Sequence, residues 1–122
     1  MRLEADDLRE ISSRLEGSFP GIGDAVARQP IQDELKRSMI LETLHAAADT
    51  VTVGTALVCL TPWVNSMLRD LQPGQSADEI VELLGERFRE EFVVSAQKSA
   101  AKIMLLMNAV LEHIRKRLIA GA

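Results

Sequence analysis

From Ser76 to Ile119 the chain reads as one nearly unbroken helical pattern, and no other stretch constrains the fold as strongly. Ser76-Ala-Asp-Glu79 predicts the start as a capping box, with Ser76 accepting from the Glu79 amide while Glu79 reaches back. Ile80, Leu83, Leu84, Phe88 and Phe92 then recur at helical spacing, followed by Ala96, Ser99, Ile103, Leu106, Val110, Ile114 and Leu118. Gly85 is the one breaker between Ala77 and Ile119, and a single helical Gly costs about 1 kcal/mol. As one straight helix the stretch would run roughly 65 Å, whereas a compact domain of this size is about 35 Å across. Either the helix breaks, with Val93 to Ser95 the expected place, or it projects and is covered by a second chain.

Charge is split along the same stretch. Ala77 to Val94 carries the acids Asp78, Glu79, Glu82, Glu86, Glu90 and Glu91 against two bases, a net of −4. Ser95 to Ala122 carries Lys98, Lys102, Arg115, Lys116 and Arg117 against one acid, a net of +4. Acids near a helix start and bases near its end favour the macrodipole, and the same order would let two copies pair antiparallel about a two-fold axis. Ile103-Met-Leu-Leu-Met107 is apolar nearly all round, so it should be buried on every side. A homodimer is expected, with Ile103, Leu106, Met107, Val110 and Ile114 at its interface.

The rest of the chain also reads as helix. Leu8, Ile11 and Leu15 give a first element from about Glu4 to Glu16, stopped by Gly17. Three Gly and a Pro break the pattern at Gly17 to Gly23, where Phe19 and Ile22 should be pinned to the core. A short helical turn is expected around Asp24 to Arg28. Pro30 fits the first turn of a further helix, whose apolar face is Ile31, Leu35, Met39, Leu41, Leu44 and Ala48. The run from Thr50 to Leu60 is β-branched and contains Gly54, but a lone strand would have no partner, so helix through Leu60, kinked near Gly54, is predicted. Thr61-Pro62 then signals a fresh start, by capping hydroxyl and proline, for a short helix ending at Gln72-Pro73-Gly74.

Composition agrees. The 122 residues suffice for one core without disulfide or metal, and the apolar content is aliphatic, with three Phe, one Trp and no Tyr. That favours helix-on-helix packing. The expected fold is all-α: a single domain over residues 1–122, a small bundle of four to five helices with a long C-terminal segment, and a more flexible portion over about 1–29. The uncharged run from Thr50 to Leu68 has the length of a membrane span, but its four Thr, Gly, Pro, Asn and Ser make it a core helix instead. No apolar signal core follows Met1, and Cys59 alone cannot close an intrachain disulfide, so a cytoplasmic setting is expected.

No catalytic, metal or cofactor site is expected. Glu42 and His45 make an E-x-x-H pair, the spacing of di-iron bundles, but His113 has Val110 where a second pair needs Glu. Glu79 and Glu82 make an E-x-x-E without a downstream acidic pair, and the acids from Asp78 to Glu91 read as a solvated helix face. Cys59 sits in an apolar run with no base nearby. The net charge of −4 argues against nucleic acid, although the basic end from His113 to Arg117 keeps a nucleic-acid-associated regulator as the alternative. The leading expectation is a non-enzymatic regulatory or adaptor protein, such as an inhibitor or anti-activator that sequesters a larger protein. Its contact surface is expected at Trp63 and Met67, or at Phe19 and Ile22; Trp63 leads because interface energy concentrates in Trp, Tyr and Arg, against the reading of Trp63 as a core residue.

Overall fold

A computed structural model describes residues 1–29, 50–93 and 100–121. Among them are five α-helices and no strand: α1 (Ala5–Leu15), α2 (Ile22–Ala27), α3 (Thr50–Arg69), α4 (Ala77–Phe88) and α5 (Ala100–Gly121), with a π-helical turn at Arg89–Val93 after α4. Of the helix expected from Pro30 through Leu60, residues 30–49 lie outside the described residues, Glu42 and His45 among them, and residues 50–60 are helical as part of α3.

α1 begins where the Asp7 carboxylate accepts the backbone N–H of Glu4 at 2.8 Å, and the acids Asp6 and Asp7 complement the positive end of the helix. Leu8, Ile11 and Leu15 form its inner face. In the Gly-rich turn that follows, the Glu16 carboxylate accepts the amides of Gly21 at 2.6 Å and Gly23 at 3.2 Å. Gly21 has φ of +88° at the entry to α2, a conformation that costs a side chain dearly. Residues 1–29, expected to be the more flexible portion, supply Leu3, Leu8, Ile11, Leu15, Phe19, Ile22 and Val26 to the core.

α2 packs on α3 at Gly54. A Cβ there would lie 3.2 Å from the Ala25 Cβ and 3.5 Å from Val26 Cγ2, so the missing side chain is what lets the helices approach. α3 departs from the sequence expectation in being one helix straight through Thr61-Pro62. Pro62 withholds only the amide that would bond the Val58 carbonyl, and the Thr61 hydroxyl turns back to the Leu57 carbonyl at 3.0 Å. Val58, Leu60, Trp63 and Val64 are buried on both sides of the proline, and that packing holds the helix on course.

The length conflict in the C-terminal pattern is resolved by a break. α4 starts at the predicted cap, where Ser76 Oγ accepts the Glu79 amide at 3.2 Å; the return bond from the Glu79 side chain is not formed. The regular helix gives way at Phe88 to the π turn at Arg89–Val93, and α5 is described from Ala100; residues 94–99, Val94 and Ser95 among them, lie outside the described residues. The 22 residues of α5 span about 33 Å, which matches the expected width of the domain. α5 lies antiparallel on α4: Arg115 reaches Asp78 at 3.1 Å, and a Cβ on Gly85 would lie 3.4 Å from Leu111 Cδ1. The acidic and basic segments thus meet within one chain.

Candidate docking groove and a buried charge cluster

Of the four residues expected at a partner surface, three lie inside. Phe19, just before α2, and Ile22, its first residue, belong to the core, and Trp63 is 6% exposed. Trp63 packs edge-on against Phe88 (centroids 5.9 Å apart) and Phe92 (5.4 Å), which are themselves 5.2 Å apart. Its indole N–H donates to Glu91 Oε2 at 2.6 Å, the polar partner a buried Trp requires. Glu91 is therefore half-buried and tied to the core, a correction to its reading as part of a solvated acidic face. Ile103, Leu106, Met107, Val110 and Ile114, expected at a dimer interface, are all buried within the single chain. Met107, Val110 and Ile114 meet Leu60, Trp63 and Val64 of α3 and Leu84 and Phe88 of α4. The gap left between them is about 20 Å³, too small for more than a single water.

Met67 is different. It is half-buried and lines an open groove at the α3–α4 corner. One wall is Met67, Asp70 and Leu71, from the end of α3 and just past it; the other is Leu83 and Arg87 of α4. Gln72 and Gln75 form the rim, with the Gln75 side chain accepting the Gln72 amide at 3.3 Å. Half-buried Leu and Met thus stand beside one acid and one base in the same recess, and the flexible Met side chain can adapt its shape.

The second feature is polar and buried. Asp7 on α1 and His113 on α5 are 7% and 1% exposed. Asp7 Oδ1 lies 2.7 Å from His113 Nε2, and Oδ2 accepts from Arg117 Nη1 at 2.8 Å and from the Glu4 amide at 2.8 Å. Burial pushes the Asp7 carboxyl up, but the bonds from His113 and Glu4 and the Arg117 charge outweigh it and hold the group below its ordinary value. An ionised carboxylate only accepts, so Nε2 carries the hydrogen. At the other ring nitrogen, Glu10 Oε2 stands 3.2 Å from Nδ1 without the alignment of a directed hydrogen bond. Arg117 also donates to the Arg2 carbonyl at 3.1 Å, and Arg14 pairs with Glu112 at 2.9 Å.

What this cluster does chemically is to fasten α1 to α5. The buried Ser12 hydroxyl of α1 donates to the Leu8 carbonyl at 2.7 Å. Cys59 is buried, which pushes its thiol up and away from the reactive thiolate. Among the described residues no group of three or more His, Cys, Asp or Glu could hold a metal ion, and no helix is long and apolar enough to cross a membrane. At the basic C-terminal end, Arg115 and Arg117 are paired with Asp78 and Asp7 of the same chain. Sequence reading missed the Asp7–His113–Arg117 cluster because no local pattern marks it: its carboxylate and its ring are 106 positions apart. Compared with known families, curated proteins and solved structures, the chain matches none.

Proposed function

We propose that this chain is a non-enzymatic regulatory or adaptor protein that acts by binding another protein, as an inhibitor or anti-activator sequestering a larger target does. The observation that supports it is the groove of Met67, Leu71 and Leu83. Met67, Leu71 and Leu83 are half-buried in one recess, whereas the large apolar side chains that are exposed among the described residues, Met1, Leu105 and Ile119, lie elsewhere on the chain. Apolar side chains gathered beside a few polar groups in one recess offer a partner a site to fill, which scattered single residues do not. The proposed setting is the cytoplasm, which suits a lone buried thiol.

The test uses the whole chain as bait in its native cell extract, beside Met67→Asp and Leu71→Asp variants of equal helical circular dichroism. A target retained by the wild type and lost by both variants supports the reading. Capture that is indifferent to both substitutions, or no capture, overturns it.

A further inference from the structure

Beside the buried charge cluster, two acceptors face each other with no hydrogen between them. With Nε2 of His113 donating to Asp7, the other ring nitrogen, Nδ1, presents a lone pair that is buried and without a hydrogen-bond partner. Glu10 Oε2 stands 3.2 Å from it. The ring is 2% exposed and the Glu10 side chain 58%, so the first is fixed and the second is free to turn. Both line a recess of about 250 Å³ between α1 and α5 that opens to solvent.

We propose that Glu10 and His113 form a proton-operated tie between α1 and α5. When the ring takes a proton from solvent at Nδ1, the Glu10 carboxylate turns into line and accepts the new N–H. The imidazolium is then held between two carboxylates of α1, Asp7 at Nε2 and Glu10 at Nδ1. Asp6 of α1 and Lys116 and Arg117 of α5 also line the recess. Lys116 and Arg117 oppose a charge on the ring, but Lys116 is exposed and Arg117 is bonded to Asp7 Oδ2 at 2.8 Å. Asp6 pairs with Arg9 at 3.2 Å, and the neighbouring Arg14 and Glu112 pair with each other at 2.9 Å. Glu10 is the acid whose carboxylate stands within bonding reach of Nδ1, so its effect changes most with the state of the ring. Against a neutral ring it meets only a lone pair; against an imidazolium it accepts a charge-assisted hydrogen bond. Its contribution to stability therefore grows as pH falls, the reverse of the Asp7 carboxyl, whose contribution is lost in stronger acid. Mild acid thus fastens the first helix more firmly to the last.

Urea unfolding of the wild type and Glu10→Gln tests it at about pH 8 and about pH 5.5, an interval in which imidazoles ordinarily take up a proton and carboxylates stay ionised. At the higher pH Glu10→Gln should match or exceed the wild type, because its amide can donate to the bare Nδ1. At the lower pH it should fall behind, so that the ratio of folding constants, wild type over variant, rises about threefold. The same ratio taken in a His113→Gln background should not change with pH. A ratio that stays constant in the wild-type background, or changes equally in both, overturns the tie. Where His113→Gln does not fold, nitrogen NMR of the ring decides. At the lower pH Glu10→Gln should move the Nδ1–H signal and leave Nε2–H in place; an unmoved Nδ1–H overturns the proposal.

Discussion

Asp7 and His113 stand 106 residues apart in sequence and 2.7 Å apart in the fold, Nε2 of the ring donating to Oδ1 of the carboxylate. Around this bond the two ends of the chain are fastened together. Arg117 spans from Asp7 to the Arg2 carbonyl, and Asn65 of α3 takes the Leu3 amide at 2.7 Å and returns a bond to its carbonyl at 3.2 Å. The first helix is thus held by directed polar contacts as well as by Leu8, Ile11 and Leu15.

Removing the carboxylate should be costly. Asp7→Ala leaves a buried imidazole and a guanidinium without their shared acceptor, and breaking a buried pair from one side costs about 3 kcal/mol. The expected result is a lower urea midpoint with an unchanged slope, the mark of lost stability in an intact fold. Asp7→Asn keeps the shape and one acceptor oxygen and should lose less.

The same carboxyl gives stability a pH dependence. Its folded-state value lies below the ordinary one, which is about 3.9 in an unfolded chain. Between the two values the unfolded chain binds more protons, so stability rises with pH through that window. Asp7's contribution is complete above about pH 4 and is lost as pH falls through the folded value. Denaturant midpoints measured from neutral pH downward should show this decline in the wild type and a shallower one in Asp7→Asn.

Trp63 and Met67 should separate cleanly by stability. Trp63→Ala empties the site between Phe88 and Phe92 and strands Glu91, and a truncation of that size in a core costs about 4 kcal/mol. Met67→Ala, on the half-exposed groove, should cost about 1 kcal/mol or less. Thermal unfolding followed by circular dichroism reads both; a Trp63→Ala variant as stable as Met67→Ala would place the indole outside the core.

Gly54 should tolerate no large side chain. Any branched residue there drives its Cβ towards Ala25 and Val26, and Gly54→Val is expected to destabilise by about 2 kcal/mol through overpacking. Gly54→Ala should come out milder, because the gain of about 1 kcal/mol in helix propensity offsets part of the shift that α2 must make. Urea midpoints for the two variants give the order.

What the sequence determined by itself was local. Helical spacing marked α1 and α4, the Ser76 cap set the start of α4, and the Gly-rich turn divided α1 from α2, because capping and periodicity act within a few residues. Length against domain width further required a break in the C-terminal pattern or a second chain to cover it. The tertiary structure decided whatever depended on distant partners. It carried α3 through Pro62 because the helix is buried on both sides of the proline. It folded α5 back on α4, so that Asp78 met Arg115 within one chain. It drew Trp63 inward, because Phe88, Phe92 and the Glu91 carboxylate satisfy both the ring and its N–H. It left Met67 at the surface, where the turn after α3 opens the corner to solvent. Periodicity tells which face of a helix is apolar; only the packed neighbours decide whether that face is covered.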